Sequence, residues 1–100
     1  MRDELDITKN VRLSQFIIAD IIGGTSELCK RMAKSADSRD VAEALADIII
    51  KSYLLSDTLG IGYPMIDTKV RELISGNKEE LDKNFDTTAL LRYLNITKGW

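Results

Sequence analysis

Apolar positions recur at helical spacing along most of this chain, and the densest run is Val41 to Leu59. Ala and Leu are frequent there, nothing breaks the run internally, and Gly60 follows as a left-handed C-cap. Leu45, Ala46, Ile48, Ile49, Ile50, Tyr53, Leu54, Leu55 and Leu59 cover nearly the whole circumference, so the pattern predicts a helix buried on most sides. One stripe is the exception. At about 100° per residue, Asp40, Glu43, Asp47 and Lys51 fall within roughly 80° of one another. Burying an unpaired carboxylate costs several kcal/mol or forces it to take a proton, so the stripe must face water or meet a cation. The simplest arrangement is an Asp47–Lys51 pair one turn apart on a solvated face, worth about 0.2–0.5 kcal/mol.

A second dense run precedes it. Asp6 is placed to cap a helix through Asn10, Val11, Leu13, Phe16, Ile17, Ile18, Ile21 and Ile22, and Leu28, Cys29, Met32 and Ala33 resume the pattern after Gly23 and Gly24. Each glycine costs about 1 kcal/mol in a helix interior relative to alanine, so the pair marks a break or a close approach by another backbone or a ligand. The resumed pattern favours one continuous helix. Asp20 and Glu27, about two turns apart, lie on nearly the same face. Lys30, Arg31 and Lys34 fall where the helix ends and its dipole favours cations; a phosphate-binding patch is the other reading. Ser35 to Ser38 is a short loop in which Asp37 or Ser38 caps the next helix, making the two long helices an antiparallel pair. The Asp20 and Glu27 stripe can then face that of Asp40, Glu43 and Asp47.

Beyond the pair, Gly60-Ile61-Gly62-Tyr63-Pro64 is a turn, and Pro64 is preset for the first position of a helix through Met65, Val70, Leu73 and Ile74 that Gly76 ends. Residues 77–84 are mostly charged, a solvated turn or short helix. Asp86 caps a last helix from Thr87 to Leu94, before a tail from Asn95. No strand signal and no repeat is present. The expected fold class is all-α, an antiparallel helical bundle of four to five helices in one domain, residues 1–100. Its apolar surplus calls for completion of the core by homo-oligomerisation, most simply as a two-fold dimer.

Composition narrows the function. The chain has 14 Lys+Arg against 16 Asp+Glu, a net charge of −2, which gives no basic field for nucleic acid. A hydrophobic fraction of 44% argues against disorder. No uncharged apolar run reaches the length of a membrane span, and the opening Met1-Arg-Asp-Glu lacks the apolar core of an export signal. A cytoplasmic protein without membrane contact is expected. Cys29, the only cysteine, reads as a small helical core residue. The absence of histidine removes Ser-His-Asp and Cys-His catalysis and His-ligated zinc. Any metal would be held by carboxylates, which favours magnesium or manganese.

Three segments carry a resemblance: Ser26-Glu27-Leu28 on the first helix of the pair, Glu43-Ala44-Leu45-Ala46-Asp47-Ile48 on the second, and Leu54-Leu55-Ser56-Asp57-Thr58-Leu59-Gly60-Ile61 behind them. Over roughly Leu13 to Glu72 the chain resembles the MazG-like all-α nucleoside triphosphate pyrophosphohydrolases. That family carries E-x-x-E on one helix and E-x-x-D on the next, and these acids hold magnesium against a triphosphate. The cation neutralises the phosphates and activates the attacking water, giving a nucleoside monophosphate and pyrophosphate. Matched residue by residue, Glu27 is the second acid of the first motif, Asp47 the last of the second, and Glu43 the acid that often precedes it. Gly24 and Ala44 stand where the other two glutamates belong. Lys69 resembles the lysine of a third-helix K-x-x-x-N motif, with Leu73 at the asparagine position.

The resemblance therefore implies a magnesium site at Glu27, Glu43 and Asp47, with Asp20 and Asp40 as carboxylates behind it and Lys51 and Lys69 near substrate phosphate. It also implies that half the usual acidic shell is missing. One expected function is a magnesium-dependent pyrophosphohydrolase of altered site acting on a nucleoside triphosphate. The alternative is a catalytically inactive protein of the same fold that serves as a homo-oligomeric binding or assembly module. A helix-turn-helix regulator is disfavoured by the acidic balance. Glu27 lies eight residues before Ser35 and Asp47 nine after Ser38. At about 1.5 Å per residue they should reach similar heights and converge on one pocket with Asp20 or Glu43.

Overall fold

The computed structural model describes residues 4–34 and 37–99, with side chains for 9–34, 37–97 and 99. Five helices follow one another: α1 (Glu4–Lys34), α2 (Ser38–Thr58), α3 (Tyr63–Gly76), α4 (Lys78–Leu81) and α5 (Thr87–Lys98). No strand occurs among the described residues. The chain is therefore all-α, and it divides into two compact units, Met1–Tyr63 and Pro64–Trp100.

In the first unit α1 runs without a break through Gly23 and Gly24. Its buried and half-buried positions are Asn10, Ser14, Ile17, Ile21, Gly24, Leu28 and Arg31. They alternate in steps of four and three. On α2 the same rhythm picks out Val41, Ala44, Ile48, Lys51, Leu55 and Thr58. Two such stripes facing each other make the seam of an antiparallel helix pair. The helices come close at Gly24, where a Cβ would lie 3.3 Å from Ile48 Cγ1 and 3.7 Å from Asp47 Oδ2. A Cβ on Gly23 would meet nothing within 4 Å. Of the two glycines, packing thus requires only Gly24.

Local chemistry fixes both ends of α2. Asp37 is the N-cap, its carboxylate accepting from the Arg39 amide at 2.9 Å. At the other end Ile61 N donates to Ser56 O while Ser56 Oγ donates to Ile61 O at 2.7 Å. Gly60 supplies the left-handed residue of this stop with φ 79°. The Tyr63 ring stands edge-on to Tyr53, centroids 5.8 Å apart, and packs the turn against the helix it leaves.

Several expectations need correction. Asp6 lies inside α1, whose described residues run from Glu4, and so does not cap that helix. Ser35 and Ala36 of the connecting loop lie outside the described residues. Within this chain α2 is not buried on most sides: only Ala44 and Ser56 are buried, while Ile49 and Ile50 are 58% and 54% exposed. A single antiparallel neighbour covers one stripe and leaves the rest. Cys29 is exposed, one position off the seam that Leu28 occupies, so it is not a core residue. No helix among the described residues is long and apolar enough to cross a membrane.

In the second unit α3 starts at Tyr63, one residue before Pro64, and ends at Gly76 as the pattern predicts. The charged segment after it forms the single turn α4. Asp86 caps α5 by accepting from Ala89 N at 2.9 Å. That helix continues to Lys98, four residues past the expected end, and stops at Gly99 with φ 69°. Asn95, Ile96 and Thr97 carry no helix breaker, so nothing ends the helix sooner. A polar knot ties α4 to α5. Lys78 Nζ donates to Asp82 Oδ2, Thr87 Oγ1 and Thr88 Oγ1, and Asp82 Oδ1 accepts from both the amide and the hydroxyl of Thr87. The hydrogen bond from the Thr87 hydroxyl, and then that from Lys78, hold the Asp82 carboxyl below the usual carboxylate range.

Candidate functional site

Helices α1 and α2 bring Gly24, Glu27 and Arg31 together with Glu43, Ala44 and Asp47 around one cleft of about 240 Å³. The expected convergence of Glu27 and Asp47, with Glu43 beside them, is therefore what the helix pair delivers. Its origin is the seam itself: Gly24, Leu28 and Arg31 on one helix, Ala44 and Ile48 on the other, hold the two acidic stripes at matching heights.

The sequence reading missed what lies between those stripes. Arg31 Nε donates to Glu27 Oε1 at 3.2 Å, and Arg31 Nη1 donates to Glu43 Oε1 at 3.3 Å and to the Asp40 carbonyl at 2.9 Å. One planar guanidinium, with its fixed fork of donors, thus spans both helices. The hydrogen bond to Glu27 raises its already high pKa, desolvation opposes this, and the bond to Glu43 adds to it, so Arg31 stays charged. Its position in the last turn of α1 has a sufficient local explanation in the helix dipole. The signal that it does more is its place on the seam, three residues after Leu28 and seven after Gly24.

A second internal cation serves the other acids. Lys51 Nζ lies 3.3 Å from Asp47 Oδ1 and 3.9 Å from Asp20 Oδ2. The one-turn Asp47–Lys51 pair read from the sequence is thus present, and Asp20 of α1 joins it. Asp40 takes part through its carbonyl. Lys69 belongs to the second unit, where its Nζ lies 2.9 Å from Glu72 Oε2.

A magnesium ion requires near-octahedral oxygen ligands at about 2.0–2.1 Å. Among the described residues no group of three or more Asp, Glu or Cys side chains is placed to hold a metal ion. Gly24 and Ala44, where two further acids would stand, line the cleft without a side chain that could ligate an ion. As arranged, the donors Glu27, Glu43 and Asp47 do not fit a divalent ion. They are matched instead by two of the protein's own monovalent cations.

The model of the MazG-like family matches residues 7–89, which takes in both acidic stripes. No curated protein and no solved structure matches the chain.

Proposed function

The chain belongs to the MazG-like family, and from that premise we propose that it is a member without metal-dependent catalysis, a helical module that assembles with further copies of itself. The observation that carries this reading is the Arg31 guanidinium bonded to Glu27 and Glu43 in the cleft where the family's acids converge. Glycine and alanine at positions 24 and 44 remove two full negative charges from that place, and Arg31 adds a positive one. Each change weakens attraction for a divalent ion and its triphosphate. The assembly half of the proposal is supported by apolar surface on the pair. Phe16 and Ile22 on α1 are 70% and 67% exposed, and Leu45, Ile49, Ile50 and Leu54 on α2 are exposed as well. Side chains of this size left in water on both helices favour a second copy as their cover.

The test is thermal unfolding with magnesium, manganese and nucleoside triphosphates, beside an assay for released pyrophosphate and light scattering. A ligand at 100 times its dissociation constant stabilises by about 2.7 kcal/mol, a visible shift for a chain of this size. The expected result is no shift, no pyrophosphate and a mass of at least twice 11.2 kDa, whereas a monomer would overturn the assembly half of the proposal. A saturable magnesium-dependent shift with pyrophosphate release would overturn the proposal. It would favour the second reading, a magnesium-dependent pyrophosphohydrolase with Glu27, Glu43 and Asp47 as ligands and Lys51 near phosphate. The observation behind that reading is that Glu27 and Asp47 line the same cleft.

A further inference from the structure

We infer that the flank of the α1–α2 pair opposite the acidic cleft is a contact face for a second copy of this chain, packed about a two-fold axis so that both clefts stay on the outside. The inference rests on the assembly reading above and deepens it, by naming the face that assembles.

The face follows from helical phase. At about 100° per residue, Asp20, Glu27, Asp40, Glu43 and Asp47 project about 50–110° to one side of the seam, and acids of both helices line one cleft. The opposite flanks of α1 and α2 must then share one face as well. Val11, Ile18, Ile22 and Met32 of α1 and Leu45 and Ile49 of α2 project there, about 50–130° from the seam, and are 46–67% exposed. No charged residue among the described side chains of either helix falls in that arc. Phe16 and Leu54, also exposed, stand on the acidic flank among charges. The hydroxyls of the apolar face are already satisfied: Thr25 Oγ1 donates to Ile21 O at 3.0 Å and Ser52 Oγ to Ile48 O at 2.9 Å, so covering them leaves no donor unmet.

Size and charge point to the occupant. From Val11 to Met32 the face runs about 32 Å along α1, and two packed helices are about 20 Å across, which gives about 600 Å² in projection. Accessible surface exceeds projection, which brings the face to about the 800 Å² per partner that a stable dimer buries. A two-fold contact sets the same patch against itself, so a charged patch would repel its copy and an uncharged one does not. Packing back to back also keeps the cleft acids of one copy away from those of the other.

Cys29, the only cysteine, is exposed in the single chain and projects into this face, so its reaction with a thiol reagent reads whether the face is covered. Light scattering of the parent should give twice 11.2 kDa, with Cys29 reacting at least about tenfold more slowly than in the urea-unfolded chain. Ile49→Glu places a carboxylate in the face of each copy; it should be a folded monomer by far-UV circular dichroism, with Cys29 fully reactive. Phe16→Glu, on the acidic flank, should stay dimeric. An assembled parent with a fully reactive Cys29, an Ile49→Glu protein that stays assembled, or loss of the dimer in a folded Phe16→Glu protein overturns the inference and leaves the proposed function standing. A monomeric parent overturns the inference and the assembly reading together, and a slow Cys29 in that monomer would assign the cover to the chain's own second unit. If Ile49→Glu does not fold, the parent decides: a slow Cys29 in a dimer supports the face, and a fast one overturns it.

Discussion

Gly23 and Gly24 are adjacent residues of one helix, and replacing each by alanine separately divides helix propensity from helix packing. Alanine is favoured over glycine in a helix interior by about 0.8–1.0 kcal/mol, partly because it restricts the unfolded chain. At Gly23 the new methyl meets nothing within 4 Å, so the whole gain should appear. At Gly24 it lies 3.3 Å from Ile48 Cγ1, and a β-branched side chain has little rotamer freedom with which to yield. Overpacking of that kind costs about 1–3 kcal/mol, enough to cancel or reverse the gain. Gly23→Ala should therefore raise stability by about 1 kcal/mol and Gly24→Ala should leave it unchanged or lower it by up to about 2 kcal/mol. By far-UV circular dichroism the first change corresponds to a rise in Tm of about 4–8 °C, or about 0.3–1 M in urea midpoint. Equal stabilisation by both variants would refute the close approach of α2 to Gly24. Destabilisation by Gly23→Ala would refute the continuous helix.

Two further outcomes test single hydrogen-bonded groups. The folded Asp82 carboxyl titrates below its unfolded value of about 3.9, so its contribution to stability is present above that pH and is lost as pH falls through the lower folded value; Asp82→Asn should flatten this acid limb in hydrogen exchange of the α5 amides, and an unchanged limb would count against the Lys78–Asp82–Thr87 knot. Asp37→Ala should cost about 0.5–2 kcal/mol by urea unfolding and Asp37→Ser much less, whereas equal losses would show that the carboxylate does not act as the cap of α2.

The helix pair was legible because its evidence is local: spacing of three and four, a capping residue at Asp37, and a left-handed glycine at position 60. Where the reading went astray, two local causes give the same letters. An acid inside a helix looks like an acid at its cap, so Asp6 was read as the start of α1, although the helix already includes Glu4. A glycine needed for close approach looks like one that is merely tolerated, so Gly23 and Gly24 could not be told apart. Apolar residues around α2 state that they favour burial and not what buries them. Arg31 was hidden for a related reason. The dipole of its own helix explains it fully, while its reach to Glu43 depends on the rotation and axial register of two helices, which no single stretch of sequence encodes.

Arg31 and Glu43 are twelve residues apart in the chain, and Asp20 and Lys51 are 51 − 20 = 31 apart. Loop-closure entropy grows as (3/2)RT ln n, so the longer closure is the more costly by about 0.8 kcal/mol. The ion pairs of the seam are thus graded by the cost of first encounter, cheapest beside the connecting loop. On closure cost alone, Arg31 and Glu43 are the pair more readily brought together while the chain is still unfolded. The guanidinium that joins α1 to α2 in the finished protein thus closes the shorter of the two loops.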